Sequence, residues 1–214
     1  ASDRIFLAER SGAGWREETY QSTLQKVRAI AASLLARGMG PTTPILIMSG
    51  NGVDHGLLTL AAHYIGVPTA PIAEQYALIP AAHERLEHAI SLVKPTMAYV
   101  VNADKFAHAI ALDALAHVEI VASNVGAHTG VTSMDQLLAG NNGSDVDAAR
   151  REVTPDNVVK ILMTSGSTSA PKGVMTTHKM MCVNQMQLSQ SLPFLAERPP
   201  RVVDWLPWNH VFGG

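Results

Sequence analysis

Cysteine is all but missing. Cys182 stands alone among 214 residues, so no intramolecular disulfide can form and a reducing compartment suits the chain. Charge is scarce too: Asp, Glu, Lys and Arg make up 16%, the formal net charge is −2, and no basic run occurs. Nucleic acid is therefore not an expected partner. No apolar stretch reaches membrane-spanning length, since the richest, residues 57–67, is broken by His63, Tyr64 and Gly66. Nor does the start read as a secretory leader, because Asp3 and Arg4 precede the first short apolar group. Together these absences predict a cytoplasmic protein away from membranes. Metal-ligand spacing is lacking as well. His83 and His88 lie five apart, which does not place them on one helix face, and no Cys or carboxylate spacing resembles a zinc site. No protein-held metal site is expected.

Apolar residues are plentiful, at 47%, which is ample for a substantial core. Their spacing alternates between two periods. Residues 5–8 and 15–18 flank Ser11-Gly12-Ala13-Gly14, a hairpin turn. Helical spacing runs from 20 to 37 and stops at Gly38. Strand 44–49, helix 53–65 and strand 67–72 make a βαβ unit. A helix over 79–93, a strand over 97–101, a helix over 104–117 and a strand over 118–122 continue the alternation. Such alternation predicts an α/β fold, a mainly parallel sheet with helices on both faces. Residues 140–156 turn polar and read as a surface connection. A short strand over 174–177 and a helix over 178–192 follow, with Met175, Met180, Met181 and Met186 expected as core filler.

One segment has no use in a core. After the apolar run 158–163, which reads as a buried strand, come Thr164-Ser165-Gly166-Ser167-Thr168-Ser169-Ala170-Pro171-Lys172-Gly173. Hydroxyls and backbone N–H groups donate to phosphate oxygens, Lys172 brings positive charge, and Gly166 and Gly173 let the backbone approach closely. A Ser/Gly linker would have similar composition but rarely follows an apolar strand or ends in Pro-Lys-Gly. The P-loop pattern G-x-x-x-x-G-K-[ST] fails, because Lys172 precedes Gly173 and no Ser or Thr follows it.

The segment closely resembles the phosphate-binding signature of the adenylate-forming superfamily, which holds acyl-CoA synthetases, luciferases and peptide-synthetase adenylation domains. Ser169 stands where that family usually has glycine. The chain's last residues, Asp204-Trp205-Leu206-Pro207-Trp208-Asn209-His210-Val211-Phe212-Gly213-Gly214, resemble the Leu-Pro…His-x-Phe-Gly motif of the same enzymes. In its fuller form this motif is similar to the feruloyl-CoA synthetase branch. Tyr20, Leu24, Val27, Ala31 and Leu34 resemble the family's first long helix. Residues 45–51 and Gly66-Val67-Pro68-Thr69-Ala70-Pro71 also fit the family.

The resemblance implies that residues 1–214 are the N-terminal portion of a large AMP-binding domain whose remainder lies elsewhere. By itself the chain would then be inactive. In the whole protein it implies a carboxylate–CoA ligase that uses ATP, Mg²⁺ and CoA on an aromatic, feruloyl-like acid through an acyl-AMP intermediate. Thr164, Ser165, Gly166, Ser167, Thr168, Ser169, Lys172 and Gly173 would hold the nucleotide's phosphates. Lys172 and His210 would act in catalysis, Lys172 on the departing pyrophosphate and His210 at the acyl–nucleotide junction. Trp205 and Trp208 are open to two uses, an aromatic-acid pocket or core packing.

Two other readings compete. Gly50-Asn51-Gly52-Val53-Asp54-His55-Gly56, between a strand and a helix and followed by Glu74, nearly copies the dinucleotide fingerprint G-x-G-x-x-G. Its third glycine comes one residue late. A non-catalytic relative that keeps the fold is the other, with Ser169 its only sign.

Overall fold

The computed structural model describes residues 2–140, 145–164, 171–197 and 199–210. Strands β1 (Ile5–Ser11) and β2 (Gly14–Thr19) form an antiparallel hairpin of their own. Helix α1 (Tyr20–Ala36) starts on a capping box, with Thr19 and Ser22 satisfying each other's backbone N–H groups. It ends before Gly38, whose φ of +72° suits glycine. Strand β3 (Ile45–Ile47), helix α2 (Val53–Tyr64) and strand β4 (Thr69–Pro71) complete the first crossover.

Helices α3 (Glu74–Leu78) and α4 (His83–Val93) then lead to β5 (Met97–Asn102). Short helix α5 (Ala107–Ile110) precedes β6 (Glu119–Asn124), and β7 (Thr132–Ser133) runs into α6 (Met134–Leu138). Helix α7 (Val146–Arg151), β8 (Val158–Thr164), β9 (Lys172–Thr177), α8 (His178–Ser191) and α9 (Phe194–Glu197) close the order. Among the described residues the main sheet runs β7-β6-β5-β3-β4-β8-β9, parallel throughout except for the final pair, β8 against β9.

Strand periodicity divides the core. Ile45 and Ile47 of β3, with Met97 and Tyr99 of β5, pack on one face beneath α1 and α2. Leu46, Ala98 and Val100 point the opposite way and meet α4 and Phe106. All are essentially inaccessible to water. Each such Ile or Leu stabilises the fold by about 1.5–3 kcal/mol. The α/β fold with helices on both faces is thus as expected.

Several boundaries differ from expectation, each for a local reason. The helix over 79–93 breaks at Pro80, which holds Ile79 extended (φ −104°, ψ 111°) and leaves a 3₁₀ turn before α4. The helix over 104–117 shrinks to α5 and a 3₁₀ turn, because Leu112 goes extended (φ −66°, ψ 138°). A continuous helix would set Phe106 and Leu115 on opposite faces, nine residues apart at 100° each. The break lets both reach the same core. The polar stretch 140–156 contains α7, capped by Asp145 and tied to α1 by a bidentate Arg28–Asp147 pair. Met175, Met180, Met181 and Met186 are not core filler among the described residues: all are exposed, and α8 buries none of its side chains.

Candidate functional site

The expected phosphate loop is strung between two antiparallel strands. Thr164 closes β8 and pairs directly with Lys172, which opens β9, and Met163 pairs with Gly173. The Thr164 hydroxyl donates to the Lys172 carbonyl at 3.2 Å, so the two ends of the loop are held together. Lys172 is exposed and Thr164 half-buried. The adjoining Pro171 carbonyl lies 2.8 Å from His88 Nε2 on α4, which fixes the returning strand to the body of the sheet. Ser165, Gly166, Ser167, Thr168 and Ser169 lie outside the described residues.

The second candidate segment docks elsewhere on the same sheet. Residues 199–210 form no strand; the described part ends in a turn in which the His210 N–H donates to the Pro207 carbonyl at 3.0 Å. The segment's missing backbone partner is a side chain: Asn51 accepts the Trp208 N–H at 2.9 Å and donates to the Leu206 carbonyl at 2.7 Å. The Trp208 indole stands edge-on to His55, with ring centroids 4.9 Å apart, and its N–H donates to Asp204 at 2.5 Å. Trp205 is 80% exposed, so core packing does not describe it here. His210 is also exposed.

Trp208 further lines a cavity of about 240 Å³ together with Phe6, Leu7, His55, Gly56, Thr59, Leu60, Thr69, Pro71 and Lys160. Its basic groups are uncharged or strained toward neutrality. Burial, assisted by the Lys160 charge, lowers His55 to about 4. Burial, with Lys160 and His178 adding to it, lowers His63 just behind to about 3. Burial also pulls Lys160 below the usual lysine value. His63 Nε2 lies 3.0 Å from the Thr69 hydroxyl, which itself donates to the Val159 carbonyl.

The start of α2 decides against a dinucleotide site. In that fingerprint a pyrophosphate sits on the helix N-terminus. Here Glu9 of β1 occupies it, accepting the Val53 N–H at 2.9 Å. A Cβ on Gly52 would come within 3.0 Å of the Glu9 carboxylate, and one on Gly56 within 3.1 Å of Leu7 and 3.6 Å of Trp208. The glycines make room for protein groups. Arg16 bridges Glu9 at 3.2 Å and Asp54 at 2.5 Å, and Asp54 accepts from Ser123, which meets the Tyr99 hydroxyl at 2.7 Å. Burial pushes the Asp54 carboxyl up, but Arg16 and then Ser123 more than reverse this and hold it below the usual value.

Sequence reasoning had no signal for Asn51, Arg16 or Lys160. Asn51 and Arg16 act through partners far along the chain, Leu206 and Trp208 for the one and Asp54 for the other, and Lys160 lines a cavity that the fold assembles.

These features place the chain in a known family. Residues 1–214 match the AMP-binding enzyme family, and the chain belongs to it, among the adenylate-forming enzymes. A methyl-dioxo-octahydroindenyl-propanoyl:CoA ligase of Mycobacterium tuberculosis is 34% identical over 195 residues, 87% of this chain and 36% of that protein. Luciferin 4-monooxygenase of Photuris pensylvanica is 23% identical over 205 residues, 91% of this chain and 36% of that protein. Among solved structures, ATP-bound MatB from Rhodopseudomonas palustris superposes with a TM-score of 0.69 at 26% identity, over 94% of this chain and 37% of that one. A fatty acyl-adenylate ligase from L. pneumophila, in complex with acyl adenylate and pyrophosphate, shares the fold with a TM-score of 0.69 at 20% identity, over 98% and 33%. The chain spans about a third of the length of these relatives.

Proposed function

We propose that residues 1–214 are the N-terminal, phosphate-handling portion of the large domain of an ATP-dependent carboxylate–CoA ligase. The observation that carries this reading is the Thr164–Lys172 pairing, which closes a hydroxyl-rich loop at the mouth of an antiparallel strand pair. Family membership and the identity to a CoA ligase support it.

A carboxylate oxygen attacks the α-phosphorus of ATP, the bond to the bridging oxygen breaks, and pyrophosphate leaves. The thiol sulfur of CoA then attacks the acyl carbon, the thiol loses its proton, and AMP departs. No base is needed in the first step, since a carboxylic acid is already ionised near neutral pH. The barrier is the approach of an anion to a polyanion, so the protein's task is positioning and charge neutralisation. Thr164, Ser165, Gly166, Ser167, Thr168, Ser169 and Gly173 donate to the phosphates, and Lys172 balances charge on the pyrophosphate as it departs. His210 orients the acid beside the nucleotide.

Mg²⁺ is expected from the family. Among the described residues no group of three or more His, Cys, Asp or Glu could hold a metal ion. The described residues thus provide no cage of their own for it.

The acid is a feruloyl-like aromatic acid, a reading supported by the Trp205–His210 sequence. A bulky alicyclic propanoate is the second candidate, suggested by the name of the M. tuberculosis relative. The enzyme works in the cytoplasm; among the described residues no helix is long and apolar enough to cross a membrane. A screen of acids for AMP release by the complete gene product, with and without CoA, tests all of this. CoA-dependent thioester from a phenylpropenoid acid is expected. Absence of carboxylate-dependent pyrophosphate exchange with every acid would leave only the non-catalytic relative.

A further inference from the structure

The Gly50-Asn51-Gly52 turn has no part in the proposed phosphate chemistry, yet it makes a long-range polar contact to the segment that ends at His210. Asn51 sits in the short connection from β3 to α2. Its carboxamide spans residues 206–208, donating from Nδ2 to the Leu206 carbonyl and accepting the Trp208 N–H on Oδ1. Backbone partners leave the amide only one satisfactory orientation. Between the two contacts stands Pro207, which has no N–H to offer. One side chain therefore serves this stretch as a neighbouring strand would.

The far side of the stretch is closed as well. Asp204 Oδ1 accepts the Leu206 N–H at 3.1 Å, and Asp204 Oδ2 accepts the Trp208 indole N–H. The Pro207 carbonyl accepts the His210 N–H. The backbone of His210 thus hangs from the residue that Asn51 brackets. Trp208 sits against His55 and Gly56 of α2, so the same turn is anchored to the helix that follows Asn51.

From this geometry we infer that Asn51 is a positioning residue for His210, fixing the turn that offers the imidazole to the acid and the nucleotide. The role rests on the ligase reading above. Only an amide of this length serves. Aspartate keeps the acceptor but sets a carboxylate against the Leu206 carbonyl, serine is too short, and glutamine adds a methylene.

The test has two arms. In the complete gene product, amide hydrogen exchange at Trp208 is compared for the parent, Asn51→Ala and Asn51→Asp. Asn51→Ala is expected to exchange at least about tenfold faster there and Asn51→Asp, which keeps the Trp208 acceptor, less so, with protection in β3 and α2 unchanged. Equal Trp208 exchange in all three overturns the clamp. In the complete gene product, carboxylate-dependent pyrophosphate exchange is measured for Asn51→Ala, His210→Ala and the double variant. Asn51→Ala is expected to lower kcat about ten- to a hundredfold, with KM for ATP within about twofold. The double variant is expected to be no slower than His210→Ala alone, since the two act as a unit. Multiplying losses, or a KM for ATP rising in step, overturns the positioning role. If the parent itself shows no such exchange, the ligase reading fails, while the first arm still decides the clamp.

Discussion

Glu9 accepts the backbone N–H of Val53 at 2.9 Å and so seals the first turn of α2 with the protein's own anion. An anionic side chain at a helix N-terminus satisfies an otherwise orphaned donor and meets the positive end of the helix dipole. Glu9→Gln is expected to destabilise the chain by about 1 kcal/mol, read as a lower urea midpoint. Gly52→Ala should do the same by crowding that carboxylate. NADH should not bind the parent; saturable NADH binding at α2 would refute the assignment of this turn.

Lys172 heads β9 directly opposite Thr164, and the proposed role sets its charge on the departing pyrophosphate. In the complete gene product, Lys172→Ala should raise the adenylation barrier by about 2.7–4 kcal/mol, the typical loss for one charge-stabilising donor. Thioester formation from preformed acyl-AMP should change far less. Single-turnover measurements of the two half-reactions separate these, and equal slowing of both would remove Lys172 from the pyrophosphate.

Two histidines, His55 buried and His63 half-buried, are expected to set the acid limit of stability. His55 is held near 4 and His63 near 3, chiefly by burial, against 6.5 in an unfolded chain. Between those limits the unfolded state binds protons that the folded state refuses, so stability is full above about pH 6.5 and falls as pH drops. Each refused proton costs about 1.4 kcal/mol per pH unit. Asp54 and Glu18, both held below their usual values in the fold, add a further loss at more acid pH. Urea midpoints at pH 7.5, 6 and 5 should decline steadily, and His63→Gln should flatten the decline. A midpoint independent of pH over this range would show that both rings stay accessible to protons.

Lys160 lies on β8 at 9% exposure, lining the cavity, and no acidic partner is found for it among the described residues. A buried ammonium without a counter-charge opposes folding. Lys160→Met keeps the length of the stem and drops the charge, and should raise stability by about 1 kcal/mol or more. Loss of stability in this variant would mean that the ammonium finds a partner after all.

How much of this was legible beforehand depends on range. The alternation of β3, α2, β4, β5 and β6 was readable because each element carries its own period, as Ile45, Leu46 and Ile47 show by facing alternate sides. The breaks at Ile79 and Leu112 were not: Pro80 was visible, but only the shared core reveals why Leu115 must turn back to the side that Phe106 faces. Thr164 and Lys172 were legible as a motif, and their pairing across β8 and β9 gave it geometry. Asn51 was read as half of a glycine fingerprint, since nothing local announces that its amide reaches Leu206 and Trp208. Long-range partners of single polar side chains leave no periodic trace.

The bare flank of α8 bears on how the chain behaves in the tube. Met180, Met186 and Phe194 meet water directly, with Val203 and Trp205 close behind them in sequence. Greasy surface of this kind collects whatever will cover it, be it a like molecule, a column matrix or a detergent micelle. Preparations of these 214 residues should therefore grow cloudy as they are concentrated and clear again on dilution into mild surfactant.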